Sequence, residues 1–566
     1  MADLESKSDL FLGLDFSTQR AKAIILDGNR THVAASSVTF GEEPSLVAKY
    51  PQCSPSGYEE DEQSGQVTSP TLMWVESLDI LFSRLVSGGV DLGRVVAISV
   101  SGQQHGSVYW KTGAEKVLNA LDSKKGMLHE QLQGAFAVQD SPIWKDTSTG
   151  KQCKELEVYT QGPRRLAEVT GSRAYHRFTG NQIAKISQTQ PENYEQCERI
   201  SLVSSFVCCL LTGAYAPIDY SDGSGMNLLD IRPCGGPNEP DKRVWMEAAL
   251  EYCGKDLAEK LGTPVPSHTV LPKPISPYFS RYGFRPTCSI VAATGDNPSS
   301  LAALYIREGD VGISLGSSDT VFVWLPEAKP GLFGHVFVNP VDTGAYMGLL
   351  CYSNGDMTRK KVRDSTQNLQ RLSEEEEEQR WQAFTHCLQS TPPANNGNVG
   401  VYFFEEEIVP HAKCTVRLNA AGEKVDSFAD QATEVRALIE GQIMAKRIHS
   451  EQLGYKCGPG TRVLATGGGS KNPEILKVMA NVFNTDVYIF SESESAAVGA
   501  AYRALHGYER AKALAAGDTD TDVSYHSLIS EIPGTLSKVC SPDGDAAALY
   551  GQLMRRYEEI EDMYAM

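Results

Sequence analysis

A chain of 566 residues with 41% hydrophobic residues is too long for one ordinary core and points to two large domains. Its 71 acidic and 52 basic side chains leave a formal charge of -19, which repels nucleic-acid backbones and anionic membrane surfaces and argues against both as partners. The 13 cysteines form no Cys-x-x-Cys pair or zinc-spaced cluster and Met1 to Asp9 lacks the apolar core of a signal peptide, so reduced thiols in a cytoplasmic protein are expected.

Taken from the N-terminus, Leu10 to Asp15 and Ala21 to Asp27 are β-prone runs around Phe16-Ser17-Thr18-Gln19-Arg20, a hairpin whose turn carries hydroxyls. A helix is expected over Leu72 to Val86, with Val75, Leu78, Leu81, Phe82 and Leu85 on one face. A buried strand, Val95 to Val100, then ends at Ser101-Gly102 ahead of Gln103-Gln104-His105. Arg173 lies in a loop before the segment Thr179 to Ile186. The apolar stretch Ile200 to Leu211 falls short of the ~20 residues that span a bilayer and reads as a buried helix. Ser289 to Thr294 is the next strand, closed by Gly295-Asp296 and a helix with Asn297 at its N-cap and Pro298 at its first position.

The pattern then restarts. Val311 to Leu315 and Thr320 to Leu325 flank Gly316-Ser317-Ser318-Asp319, a second hydroxyl-bearing hairpin. Ser373 to Arg380, with its glutamates, reads as a solvated helix start or loop without function, and Thr391 to Asn398 as a Pro/Asn/Gly loop. A helix over Val435 to Leu453 precedes the strand Arg462 to Ala465, the turn Gly467-Gly468-Gly469-Ser470 and a helix capped by Asn472-Pro473; Ala546 to Tyr564 is a final amphipathic helix. This duplicated plan predicts an α/β architecture of two similar lobes, with ligands in the cleft between them and closure on the bound pair.

No P-loop, dinucleotide fingerprint, zinc-protease motif or nucleophile elbow is present. A hairpin turn can replace a P-loop, because successive backbone amides make an anion-binding concavity and Ser or Thr hydroxyls add donors. Ser17 and Thr18 fit that description, as do Gly316, Ser317 and Ser318; an ordinary hairpin is the plainer reading of either turn alone. Asp15, at the strand end beside the first turn, suits Mg²⁺ directly or through water. The glycines at 467–469 admit a ligand such as adenosine close to the backbone, or simply provide a turn with positive φ. Asp296, after a strand and before a helix, is placed to project as an ionised carboxylate that accepts a hydroxyl proton, its plainer role being a capping residue. Gln104 and His105 offer donors and acceptors to a polyol, and Arg173 a fork for sugar oxygens or a surface salt bridge.

The ordered set Leu14-Asp15-Phe16-Ser17-Thr18, Gln103-Gln104-His105-Gly106, Phe178 to Lys185, Thr294 to Pro298, Leu315 to Thr320 and Ala465 to Gly468 resembles the FGGY carbohydrate kinases. Within that family it is most similar to eukaryotic members acting on D-xylulose. The resemblance, running from about Phe11 to Tyr508, implies two actin-like, ribonuclease-H-like lobes divided at 294/295. It implies ATP and Mg²⁺, transfer to the 5-hydroxyl of D-xylulose for the pentose phosphate pathway, and a monomer or homodimer. By motif match Asp296 is the base, with His105, Arg173, Asn297 and Gln104 on the ketose. Asp15, Ser17, Thr18, Gly316, Ser317 and Ser318 surround the phosphates, with Asp15 toward the metal, and Trp381, Gly468, Gly469 and Asn472 hold adenosine. Ser317 stands where Thr is usual in the family, preserving the hydroxyl.

Overall fold

The computed structural model describes residues 9–234, 242–365, 374–458, 460–490, 495–518, 523–529 and 535–564. Two compact units divide the chain: the first takes Met1–Tyr305, Phe337–Tyr346 and Glu494–Ser530, the second Ile306–Val336, Met347–Ser493 and Glu531–Met566.

In the first unit, strands β1 (Leu10–Phe16), β2 (Arg20–Asp27), β3 (His32–Thr39), β4 (Val95–Gly102) and β5 (Ser289–Ile290) lie in the order β5-β4-β1-β2-β3. β1 is antiparallel to β2 and parallel to β4, so Asp15 stands opposite Ser101 at the ends of two neighbouring strands. Every residue of β1 is buried, as expected of a central strand covered on both faces. Helix α1 (Thr71–Ser87) buries Trp74, Leu78 and Phe82 in the core that also holds Leu12, Leu14, Ile98 and Val100.

The second sheet contains β6 (Asp310–Leu315), β7 (Asp319–Leu325), β8 (Tyr346–Tyr352), β9 (Arg462–Thr466) and β10 (Asp486–Phe490), ordered β8-β7-β6-β9-β10. β6 is antiparallel to β7 and parallel to β9, which reproduces the relation of β1 to β2 and β4. The duplicated plan expected from the sequence is therefore present strand for strand: a hairpin whose first strand also pairs with a later parallel strand, itself paired with another parallel strand.

Three expected elements differ. Ile200–Leu211 is not one helix: a strand, Cys197–Leu202, runs into helix α2 (Val203–Thr212). Ser205 Oγ accepts from the Leu202 backbone N–H at 3.1 Å, so a serine that interrupts the apolar run marks the helix start. The strand expected over Ser289–Thr294 survives only as β5 and the pair Thr294–Gly295, because Val291 and Ala292 between them bond to Ile98 and Thr269 instead. Helix α3 (Asp296–Ala303) begins one residue before the expected cap: Gly295 is the N-cap and no side chain caps it, so Asn297 lies inside the first turn.

In the second unit, the helix Glu374–Ser390 carries the glutamate run at its start; Ser373 lies outside the described residues. Helices α4 (Gln431–Gln452) and α5 (Pro473–Phe483) follow. Helix α6 (Ser495–Ala516) returns to the first unit and lies on β1 and β4. The approach is so close that a Cβ on Gly13 would stand 2.0 Å from the Ala497 carbonyl oxygen, which leaves glycine as the residue that fits. Helix α7 (Gly544–Tyr564) packs in the second unit on α4 and α5. Among the described residues no helix is long and apolar enough to cross a membrane.

Candidate active site

The strand ends of the first unit gather the acids and amides singled out in the sequence. Asp15, 4% exposed, accepts from Ser101 Oγ at 3.0 Å and from Ser17 Oγ at 2.5 Å. The turn is closed by Ser17 N–H donating to Arg20 O, and the Thr18 hydroxyl accepts from the Trp144 indole N–H at 2.7 Å. Asp296, half-buried at the first position of α3, accepts the Asn297 backbone N–H on Oδ1 at 2.8 Å. Asn297 Nδ2 donates to both Asp296 Oδ1 (3.1 Å) and Gln104 Oε1 (2.9 Å), tying the loop after β4 to the start of α3.

Burial, followed by the charge of Asp15, raises the Asp296 carboxyl to about 7. This corrects the expectation of a carboxylate simply left ionised: at neutral pH the group sits at its own midpoint, the range in which a general base works best. The plainer reading as a capping residue fails geometrically, because the carboxylate accepts the amide of its immediate neighbour and α3 carries no side-chain cap.

His105 adopts φ 72° and is buried, its ring stacked on Phe178 at 4.5 Å between centroids. Burial, reinforced by the Arg177 charge, pushes its pKa down to about 3. The ring is therefore neutral, and since Nδ1 lies 2.8 Å from the Gly225 carbonyl oxygen it is Nδ1 that carries the proton. Nε2 is left as an acceptor for a donor such as a sugar hydroxyl. Arg173 is placed otherwise: its guanidinium forks onto Glu157 at 3.0 and 3.3 Å with its side chain 42% exposed, the surface salt bridge that was its plainer reading.

Beneath this group lies a polar layer that sequence reasoning missed. Asp222 accepts from Ser204 Oγ at 2.6 Å and faces the Gln104 amide; its carboxyl is raised by burial and then by the charge of Asp219. Asp219 accepts from the Ser267 hydroxyl and from the backbone amides of Ser221 and Asp222. Arg503, fully buried on α6, offsets Asp219 electrostatically while donating to the carbonyls of Val100, Ser267 and Ala292. Gln103 buries both of its amide polar atoms with no partner among the described residues. The only sequence signal for this layer was the proximity of Gln103 and Gln104 to a strand end; Asp219, Asp222 and Arg503 are brought in by tertiary folding.

In the second unit, Ser317 and Ser318 are exposed at the tip of the β6–β7 hairpin, with Gly316 half-buried beside them. The glycine turn after β9 packs on the same strand. Gly467 has φ 83° and a Cβ there would lie 2.5 Å from the Leu315 carbonyl oxygen, whereas one on Gly468 would meet nothing within 4 Å. The turn continues as a 3-10 helix, Gly468–Lys471, that includes Gly469. Asn472 caps α5 through the amides of Glu474 and Ile475, as expected, and its Nδ2 donates to Thr385 at 2.9 Å. That bond joins the glycine turn to the helix bearing Trp381, whose ring lies 4.6 Å under the Arg363 guanidinium.

Within the first unit, a carboxylate poised near neutrality, a neutral histidine acceptor and a hydroxyl-bearing turn can deprotonate an alcohol and receive phosphate oxygens; the second unit carries a hydroxyl-bearing turn of the same kind. Magnesium binds through one or two carboxylates and keeps its remaining positions for waters and phosphates; Asp15 beside Ser17 is a donor set of that kind, and no cluster of three or more His, Cys, Asp or Glu suited to a metal occurs among the described residues.

Comparison with known proteins identifies the family. Residues 137–303 match the N-terminal domain, and residues 311–508 the C-terminal domain, of the FGGY family of carbohydrate kinases. Xylulose kinase of Rattus norvegicus is 46% identical over 551 residues, covering 97% of this chain and 96% of the rat protein. Among solved structures, xylulose kinase from Rhodospirillum rubrum is similar with a TM-score of 0.73 at 17% identity, covering 98% of both chains. Gluconate kinase from Lactobacillus acidophilus is similar with a TM-score of 0.74 at 17% identity, also covering 98% of both.

Proposed function

The chain belongs to the FGGY family of carbohydrate kinases, and on that footing we propose that it transfers the γ-phosphate of ATP to the 5-hydroxyl of D-xylulose, giving D-xylulose 5-phosphate. The observation that carries the choice of sugar is the 46% identity with the rat xylulose kinase over almost the whole of both chains. The fold alone does not select an acceptor, since xylulose and gluconate kinases resemble it equally well.

In this reading the acceptor hydroxyl gives its proton to Asp296 as its oxygen attacks the γ-phosphorus and ADP leaves. Asn297 and Gln104 hold the Asp296 carboxylate in direction, and His105 Nε2 accepts from a sugar hydroxyl, which a neutral ring does without repelling a cation. Arg173 would reach the ketose only by leaving Glu157. Ser17 and Thr18, with Gly316, Ser317 and Ser318, are assigned to the phosphates, and Trp381, Gly468, Gly469 and Asn472 to adenosine. Magnesium, held by Asp15, would neutralise phosphate charge in a chain whose net charge of -19 opposes the nucleotide.

The test is ATP turnover by the purified chain with and without D-xylulose, beside ribulose, sedoheptulose, gluconate and glycerol. Turnover stimulated most by D-xylulose is expected. A stronger response to another polyol would move the assignment within the family, and no response to any of them would favour a non-catalytic sensor.

A further inference from the structure

A buried arginine in the second unit is gripped along two edges. Arg363 closes the helix Asp356–Arg363, and its guanidinium forks onto Asp364 at 2.8 and 2.9 Å and onto Glu377 at 2.7 and 3.0 Å. Forked carboxylates lie near the guanidinium plane, so the two acids take its edges and leave its faces. The Trp381 ring lies against this group, its centroid 4.6 Å from the central guanidinium carbon. Arg380 donates to Asp364 at 3.1 Å and so fixes that acid in turn.

Trp381 is held from other sides as well. Phe384 meets its ring edge-on at 5.3 Å between centroids, and Glu377 lies one turn earlier on the same face of the helix Glu374–Ser390. The Glu377 carboxyl is kept below its ordinary value by Arg363 first and, among smaller causes, by the indole N–H of Trp381. One turn later, Thr385 donates to the Trp381 carbonyl at 2.8 Å and accepts from Asn472 at the end of the glycine turn. The half-buried indole thus stands one turn from the point where residues 468–472 dock, and Gly468 there faces open space. A salt bridge between the two helices needs only the Glu377 fork; the second fork, onto Asp364, fixes the guanidinium plane and with it the surface that supports the ring.

We propose that Arg363 is a positioning residue: fixed in plane by Asp364 and Glu377, it holds the Trp381 indole as a flat platform on which the base of a nucleoside di- or triphosphate stacks. Stacking on an aromatic ring strengthens binding about five- to hundredfold per base, and a ring that must first be ordered loses part of that gain. The inference deepens the kinase reading and rests on it.

The probe is ADP in magnesium buffer, titrated calorimetrically into the full chain, with D-xylulose binding and thermal melting measured in parallel. Arg363→Met keeps an aliphatic stem and removes the guanidinium; ADP is expected to bind about fivefold more weakly, with D-xylulose affinity unchanged. Trp381→Ala is expected to weaken ADP about tenfold. The deciding variant combines the two. An arginine that acts through the ring adds less than about twofold once Trp381 is gone, whereas a purely structural arginine repeats the same fivefold loss in that background. Should Arg363→Met not fold, Arg363→Lys keeps the charge without the planar fork and goes through the same cycle, with ADP about threefold weaker expected. Wild-type ADP affinity in a folded Arg363 variant, an equal loss of D-xylulose affinity, or equal ADP losses with and without Trp381 would overturn the proposal and leave the kinase reading intact. Wild-type ADP affinity in Trp381→Ala would overturn it too, by removing the base from that ring. Wild-type protein that bound no ADP would overturn both.

Discussion

Replacing Asp296 by Asn should slow the chemistry and stabilise the fold. The same burial that raises this carboxyl from 3.8 to about 7 makes its ionised form unfavourable in the folded state. With a folded pKa above the unfolded one, the folded chain binds the extra proton, so stability falls as pH rises from about 4 through about 7 and then levels off. At about 1.4 kcal/mol per pKa unit the upper bound near pH 8 is about 4 kcal/mol; water still reaching the half-buried residue reduces this to ~1–2 kcal/mol. Asn removes that penalty and keeps the bonds to Asn297, so the melting temperature should rise by about 1–3 °C at pH 8 and by less than half as much at pH 5. Loss of a general base should lower kcat by ~10²-fold or more and abolish a limb of kcat/KM that rises with slope one to about pH 7. Thermal unfolding at the two pH values beside steady-state kinetics reads both effects. Wild-type turnover in the variant would refute the base, and a variant less stable than wild type at pH 8 would refute the desolvation argument.

Gln103→Leu, which removes two buried and unpartnered amide atoms, should stabilise the ligand-free chain by ~1 kcal/mol in denaturant unfolding and raise KM for the sugar if those atoms serve it. His105→Asn, which tolerates the left-handed backbone at φ 72°, should keep the fold and raise sugar KM about tenfold. Nitrogen NMR of wild type should show a neutral, Nδ1-protonated ring from pH 5 to 8, and an imidazolium signal in that range would contradict the buried ring described above. Gly467→Ala should cost at least ~1–2 kcal/mol through its positive φ and its contact with Leu315, whereas Gly468→Ala should leave stability within ~0.5 kcal/mol and raise KM for ATP; a thermal melt and an ATP titration separate the two.

Both hairpins and the glycine turn could be read in advance because their chemistry is local: a hydroxyl turn between two β-prone runs, or glycines between a strand and a capped helix, is written in consecutive residues. Asp15, Asp296 and Asn472 followed from their position at the ends of such elements. The start of α3 was misplaced by two residues because Asn-Pro is a strong capping signal, while in the structure Gly295 takes the extended cap conformation and Asp296 the first turn. The raised pKa of Asp296 had no signature in the sequence, since it depends on what surrounds the side chain. Asp219, Asp222 and Arg503 in one unit, and Arg363 and Trp381 in the other, belong to helices and loops whose own residues give no hint of one another; long-range packing alone makes them neighbours.

The placement of α6 sets a condition on how the protein is made. The first unit leaves off its main chain course at Tyr305 and receives the helix that covers β1 and β4 only from Ser495 onward. At ribosomal speed of about 5–20 residues per second, the roughly 190 residues in between take on the order of 10–40 s to emerge. Throughout that interval the nascent sheet has an uncovered apolar face at β1, so release of a truncated product anywhere before α6 would yield a chain prone to aggregate rather than a folded half.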